Sequence, residues 1–229
     1  MAPGDALAPQ DRGSCANNEA VSDPRPDGIP GPAPYRPVED FDESYVGTPP
    51  WDIGRPQPVF LRLAEAGSIW GRVLDVGCGT GEHVLMASER GLDATGIDAA
   101  PRAIAAARRK ASDRGLNARF IVFDALRLAE LADRFDTVLD SGLFHIFDDE
   151  RRARYVEALG AVIKGGGRYF MCCFSDRQAG DWGPRRVSQD EIRAAFGAGW
   201  EVESIEAAQF DTNLDPPFIQ AWLATITRN

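Results

Sequence analysis

The ten residues from Val73 to Glu82 constrain the fold of this 229-residue chain more than any other stretch. They consist of a short apolar strand, a turn with glycine at positions 77, 79 and 81, and the first residues of a helix. Because glycine has no Cβ, the backbone can turn tightly and a ligand can approach it closely. Unpaired N–H groups and the helix dipole favour an anion at the start of the helix. The stretch therefore predicts a strand–turn–helix unit that binds a nucleotide-like ligand.

The composition of the turn argues against a phosphate ligand. No lysine follows the glycines and their spacing is G-x-G-x-G, so both the P-loop and the usual dinucleotide pattern are absent. Asp75 precedes the turn, where a carboxylate repels a pyrophosphate and attracts a cation. The methionine part of S-adenosylmethionine, with a carboxylate and an ammonium group, fits better. The stretch resembles motif I of the class I S-adenosylmethionine-dependent methyltransferases, D/E-x-G-x-G-x-G, and this resemblance implies cofactor binding by Asp75, Gly77, Cys78 and Gly79.

Two further acidic residues follow predicted strands. Asp98 ends the second strand about 20 residues past the glycines, where a βαβ unit places a carboxylate on the ribose hydroxyls. Asp98 can also cap the helix that begins at Pro101, and the two roles are compatible. After the third strand, the family resemblance implies that Asp124 and the Ala125 backbone meet the adenine. The alternative is that Asp124 only caps the segment that follows it.

A proline-rich segment, residues 45–58, precedes the core and contains Trp51. Prolines this dense exclude the interior of a helix or strand, so the segment is a stiff loop. It resembles the T-P-W-D-x-G-x-x-x-P segment of the thiopurine, thiol and halide methyltransferases. That resemblance implies that Trp51 lies over the cofactor; the alternative is simple packing of the loop on the core.

The fourth predicted strand leads into Ser141 and His145, at the edge of the sheet where the family holds the methyl group. The resemblance places Ser141 at the cofactor. An unperturbed imidazole has a pKa near 6.5 and can accept a proton at neutral pH, so His145 is the candidate catalytic residue. Orientation of the substrate and ordinary core packing remain open as alternative roles for His145. The candidate substrate pocket consists of the following aromatic residues, which are also typical of a core: Phe144, Phe147 and Trp182.

Composition excludes several classes of partner. A net charge of −10 and a pI near 4.7 argue against a nucleic-acid substrate. No apolar run has the length of a signal peptide or membrane span, and the four cysteines have no C-x-x-C spacing. We therefore predict a cytoplasmic protein with reduced thiols, no metal, no membrane partner and a small-molecule methyl acceptor. The oligomeric state is left open.

Strands and helices alternate through the core, which predicts an α/β, doubly wound and mostly parallel sheet. The family resemblance adds seven strands with an antiparallel last strand. We expect a disordered Pro/Gly-rich tail over residues 1–40 and a methyltransferase domain over residues 41–229. The implied reaction moves a methyl group from S-adenosylmethionine to a sulfur or oxygen atom, such as a thiol or an aromatic hydroxyl. Residues 135–148 and 183–188 also resemble actinobacterial relatives of the thiol group, and this resemblance implies heteroatoms of small aromatic or heterocyclic compounds as the second acceptor class. The alternatives are an NAD(P)-dependent oxidoreductase and a non-catalytic S-adenosylmethionine-binding module.

Overall fold

The computed structural model describes Met1, residues 38–180 and residues 182–229. Most of the tail predicted over residues 1–40 lies outside these ranges, as does Cys15. The predicted tail boundary overlaps the first helix, since α1 spans Val38–Ser44. Helix α1 contacts the start of a later helix through Asp42, which accepts the backbone N–H of Arg102 over 2.8 Å. Within the described residues, regular secondary structure therefore begins before the proline-rich segment.

Within the described residues, one sheet contains seven strands: β1 Arg72–Val76, β2 Asp93–Asp98, β3 Arg119–Val122, β4 Phe135–Ser141, β5 Ile163–Phe174, β6 Trp200–Asp211 and β7 Phe218–Arg228. Their order in the sheet is β3-β2-β1-β4-β5-β7-β6. Strand β7 is antiparallel to both of its neighbours, and the other adjacent pairs are parallel. This confirms the predicted doubly wound sheet with a reversed last strand.

The helices begin where the sequence carries start signals. One helix has Pro101 in its first turn, and another opens with a capping box between Ser188 and Glu191. Besides α1, the helices are α2 Pro58–Glu65, α3 Glu82–Glu89, α4 Pro101–Asp113, α5 Asp149–Val162 and α6 Gln189–Ala195. Short 3₁₀ helices span Ala125–Glu130 and Phe144–Ile146.

Apolar clusters cover both faces of the sheet. In β5, the side chains of Tyr169–Phe174 are all buried, as expected of a central strand whose two faces are covered. The sequence predicts a helix that ends at residues 164–167 and a fifth strand that begins at Tyr169. Strand β5 instead begins at Ile163, because residues 164–167 already belong to the strand.

The parallel strands present their carboxyl ends to one edge of the sheet. Strand β1 lies between β2 and β4, so the strand order reverses beside it, and such a switch point is where open α/β sheets bind ligands. Within the described residues, we find no helix with the length and apolarity needed to cross a membrane.

Candidate active site

A cavity of about 900 Å³ opens at the carboxyl ends of β1, β2 and β4. Ligand pockets span roughly 300–1,000 Å³, so this volume is large for a single small molecule and leaves room for two. We name its wall by sequence: the lining residues within 41–126 together with Ser141 are the cofactor end, and those within 142–219 are the acceptor end.

The glycine turn forms the floor of the cofactor end. The N–H groups of Gly77 and Cys78 both donate to the carbonyl of Ile97 over 2.9 Å, which ties the turn to β2. Gly79 has φ of +52°, and a Cβ on it would lie 2.9 Å from the Tyr45 hydroxyl. The turn therefore needs glycine both for its left-handed backbone and for the close approach of Tyr45.

Asp98 connects this turn to the next helix. Its Oδ2 accepts the N–H of Gly79, and its Oδ1 accepts the N–H of Ala100, each over 2.8 Å. Burial raises the pKa of Asp98 to about 6, an increase that these two hydrogen bonds oppose. Since each carboxylate oxygen has a further acceptor site and the residue lines the cavity, Asp98 can also accept ribose hydroxyls.

Asp75 lies behind the turn and not in the cavity wall. Its carboxylate is fully buried, and neither oxygen has a hydrogen-bond partner among the described residues. Nδ1 of His83 lies 3.5 Å from Oδ2 of Asp75, and Nε2 of His83 accepts the N–H of Gln57 over 3.1 Å. A buried carboxylate without donors favours a cation nearby, which fits a ligand ammonium group beside His83, itself part of the cavity wall. No spacing in the sequence points to this contact of His83 with Asp75, and the sequence alone favours a packing role for His83.

The proline-rich segment covers the cofactor end. Trp51 is half-buried in the cavity wall, and its indole N–H donates to the Tyr45 hydroxyl over 3.0 Å. Its neighbour Asp52 accepts the Thr80 hydroxyl over 2.9 Å, and Lys110 donates to the same Thr80 oxygen over 2.7 Å. The segment is thus held on the glycine turn by side-chain hydrogen bonds.

The other candidate cofactor residues also line the cavity: Asp124, Ala125 and Ser141. Asp124 caps the 3₁₀ helix that follows it, because its Oδ1 accepts the N–H of Leu126 over 2.9 Å. This cap is one of the two roles left open by the sequence. It leaves the second carboxylate oxygen for a ligand.

His145 lies at the acceptor end, in the second 3₁₀ helix. Its Nδ1 accepts the backbone N–H of Phe174 over 3.0 Å, and its ring centroid lies 4.5 Å from that of Phe174. Burial lowers the pKa of His145 to about 3, and the positive charges of Arg186 and Arg152 lower it further. The imidazole is therefore neutral at pH 7, and since Nδ1 accepts, its proton is on Nε2.

Aromatic side chains form the wall around His145. Phe174 and Phe210 meet edge to face with ring centroids 5.6 Å apart, and Phe147 and Trp182 also line the cavity. The predicted pocket residue Phe144 does not line it. This ring is fully buried in the core, where its centroid lies 5.9 Å from that of the stacked Phe196 ring.

Sequence reasoning missed two residues of the site. Tyr45 is one of two aromatic residues in the proline-rich segment, and no spacing points to Trp51 as its partner. Phe174 has the sequence pattern of the end of a central strand. The strand assignment was correct, but only the structure shows that the ring turns towards His145.

The fold and the site define an α/β protein whose cavity can hold a nucleotide-type cofactor beside a second ligand. The glycine turn, Asp98 and the unpartnered Asp75 fit S-adenosylmethionine. Residues 73–167 match the methyltransferase domain family. The chain is 39% identical to a 2-heptyl-1-hydroxyquinolin-4(1H)-one methyltransferase from Mycobacteroides abscessus over 76% of this chain and 82% of that protein.

Two further proteins are similar to this chain. A probable thiol methyltransferase 2 from Arabidopsis thaliana is 30% identical over 70% of this chain and 72% of that protein. A solved structure, whose description is the conversion of a disulfide bond into a thioacetal group during echinomycin biosynthesis, has a sequence 38% identical to this chain. Its TM-score is 0.77, and the match covers 84% of this chain and 93% of that one. The chain belongs to the class I S-adenosylmethionine-dependent methyltransferases, and it is a small-molecule methyltransferase with S-adenosylmethionine as its cofactor.

Proposed function

We propose that this enzyme methylates an oxygen or sulfur atom that ionises readily, on a flat and mainly apolar small molecule. The protonation state of His145 carries this proposal. Nδ1 of His145 accepts the Phe174 N–H, and Nε2 bears the proton, so the ring has no free lone pair to act as a base. Among the described residues of the acceptor end, the only other titratable side chain is the guanidinium of Arg185, which is not a base at neutral pH.

S-adenosylmethionine supplies a methyl group that its sulfonium already activates for displacement. The protein then has to align the two reactants, which can lower a barrier by roughly 7–11 kcal/mol. A thiol, with a pKa near 8.5, or an acidic hydroxyl on a heteroaromatic ring is ionised in part at neutral pH. An aliphatic alcohol would need a base, and we therefore exclude it as an acceptor.

The shape of the acceptor is inferred from the wall of the cavity. Phe174, Phe210 and Trp182 offer ring faces and edges that bind a planar apolar ligand by stacking. The relative from M. abscessus is named for a hydroxyquinolone, a flat heterocycle with an N-hydroxyl group. A hydroxylated heteroaromatic ring is therefore our first choice of acceptor, and transfer is to its oxygen.

A thiol is the second candidate, favoured by the A. thaliana relative, whose name specifies a thiol. The 38% identical structure also concerns sulfur chemistry. A thiolate needs no base either, so it agrees equally well with the state of His145.

Within this site, we assign His145 to orientation of the acceptor. Its Nε2–H can donate a hydrogen bond to the acceptor atom without removing a proton. On the cofactor side, Asp98 would accept the ribose hydroxyls and Trp51 would cover the cofactor. We assign the adenine to Asp124 and Ala125, and the methionine part to the glycine turn with Asp75 behind it.

The proposal is tested with a panel of acceptors and quantification of S-adenosylhomocysteine. The panel holds an N-hydroxyquinolone, a hydroxylated heteroaromatic compound, an aromatic thiol and a primary alcohol of matched size. We expect turnover with the first three and none with the alcohol. Turnover of the alcohol at a similar rate would contradict the proposal.

A further inference from the structure

Asp140 lies near the end of β4 and accepts four hydrogen bonds. Its Oδ1 accepts the backbone N–H groups of Leu143, over 2.8 Å, and Phe144, over 3.3 Å. Its Oδ2 accepts the hydroxyls of Tyr155, over 3.0 Å, and Tyr169, over 2.7 Å. All three side chains of this cluster are fully buried, and the carboxylate does not line the cavity. The cluster therefore acts on the site only through the backbone that it holds.

That backbone is the strand-end turn, which we define as residues 141–147. Its cavity-lining members are Ser141, Gly142, Leu143, His145, Ile146 and Phe147. The turn touches both ends of the cavity, because Leu143 packs against Gly77 of the glycine turn and His145 packs against Phe174. A shift of the turn would consequently change the geometry between cofactor and acceptor.

We propose that Asp140, held from behind by Tyr155 and Tyr169, is a positioning residue for methyl transfer. The two tyrosine hydroxyls fix one oxygen of the carboxylate, and the other oxygen fixes the strand-end turn. Displacement at a methyl group requires the acceptor atom in line with the breaking bond, and a misplacement of about 1 Å can cost on the order of 10²-fold in rate. The inference rests on methyl transfer itself and not on the particular acceptor proposed above.

A buried carboxylate carries a cost in free energy, because its charge has to be removed from water. Burial raises the pKa of Asp140 to about 6, against the effect of its four donors. Packing alone would be served as well or better by an apolar residue. The carboxylate instead supplies several acceptor sites at one place, which the turn and the two tyrosines use together.

The main test is the double variant Tyr155→Phe with Tyr169→Phe, which removes both hydroxyls and retains both rings. We expect kcat at saturating substrates to fall by roughly 10- to 10²-fold, while the Kd of S-adenosylmethionine changes by less than about twofold. The matched control is Thr137→Val in the same strand. The Thr137 hydroxyl is buried and bonds both the carbonyl and the N–H of Trp70, at the end of β4 away from the cavity. Thr137→Val should lower the free energy of unfolding but leave kcat unchanged.

Asp140 itself is tested with two substitutions. Asp140→Asn keeps an oxygen that can accept from Leu143 and Phe144, so it should retain more of the kcat than Asp140→Ala. In NMR spectra, the backbone amide signals of Leu143 and Phe144 should shift in the tyrosine double variant and keep their positions in Thr137→Val.

Two results would overturn the inference. One is a double variant with kcat within about twofold of wild type, and the other is an equal loss of kcat in Thr137→Val. If the wild-type enzyme turns over none of the acceptors in the panel, the proposed acceptor class fails. The amide signals then still decide the positioning role, because unshifted signals in the double variant would contradict it.

Discussion

The backbone N–H of Phe174 donates to Nδ1 of His145 over 3.0 Å, so the neutral imidazole holds its proton on Nε2. With a pKa lowered to about 3, the ring does not titrate at neutral pH. We therefore expect kcat/KM to rise with pH through the pKa of the acceptor and to level off above it. Profiles measured with two acceptors of different pKa check this. An inflexion that stays at one pH for both acceptors and disappears in His145→Asn would indicate that His145 is a base.

Loss of the His145 ring should lower kcat by a similar factor for ionised and for protonated acceptors. A hydrogen bond to a charged group contributes about 1.5–3 kcal/mol, which corresponds to a fall of about 10–10²-fold in rate. The measurement is kcat of His145→Asn with a thiolate at high pH and with an acceptor of higher pKa. A loss confined to the protonated acceptor, and recovered as the pH passes the acceptor pKa, would contradict the orienting role.

Asp98 should make cofactor binding pH-dependent. Its pKa is raised to about 6 by burial, so the carboxylate is ionised above that pH and protonated below it. Ribose hydroxyls donate to the ionised form, and the affinity for S-adenosylmethionine should therefore fall as the pH drops through 6. In the limit of one-proton linkage the fall approaches about tenfold per pH unit. Calorimetry at several pH values measures it, and Asp98→Asn should bind more weakly with a flatter profile. An equally steep profile in that variant would mean that another group titrates.

Trp51 should report cofactor binding. It lies in the wall of the cofactor end with its N–H on Tyr45, so S-adenosylmethionine should change its fluorescence. We expect Trp51→Phe to remove most of the change seen on titration with the cofactor. Trp200 packs on Phe196 away from the cavity, and Trp200→Phe is the control that should retain the change. A fluorescence change that persists in Trp51→Phe but disappears in Trp200→Phe would exclude Trp51 as the residue that covers the cofactor.

Substitution of two glycines with similar φ angles separates the cost of a left-handed backbone from the cost of steric overlap with a neighbouring side chain. Gly81 and Gly91 have φ of +88° and +77°, but a Cβ would meet Phe120 at 2.6 Å only at Gly81 and nothing within 4 Å at Gly91. Gly91→Ala should lower the free energy of unfolding by about 1–2 kcal/mol through its left-handed backbone alone. Gly81→Ala should cost a further 1–3 kcal/mol or so from overpacking. Denaturant unfolding measures both changes. An equal loss of unfolding free energy in the two variants would show that the Phe120 ring moves aside without a cost in stability.

Much of this fold follows from local sequence. The glycine turn, the acid at position 98 and the capping box at Ser188 act within a few residues or one βαβ unit, and local patterns predict them. Helix α1 was missed because it follows a proline-rich stretch and is held by the contact of Asp42 with Arg102, 60 residues away.

The candidate site was predictable in its cofactor end and less so in its acceptor end. The partners of His145 and Asp140 come from strands and helices distant in sequence, and no spacing reveals them. Phe144 shows the same difficulty: its neighbours on both sides line the cavity, whereas its own ring is buried in the core, and the sequence pattern does not distinguish the two.

The central claim is that the protein aligns an acceptor that ionises by itself. The most direct measurement is kcat/KM at fixed pH across a series of ring-substituted aromatic thiols or hydroxyls of matched size and rising pKa. We predict that kcat/KM falls as the acceptor pKa rises above the assay pH, and recovers when the pH is raised to match. A kcat/KM that stays constant across the series would show that the enzyme removes the proton itself, and would contradict the account.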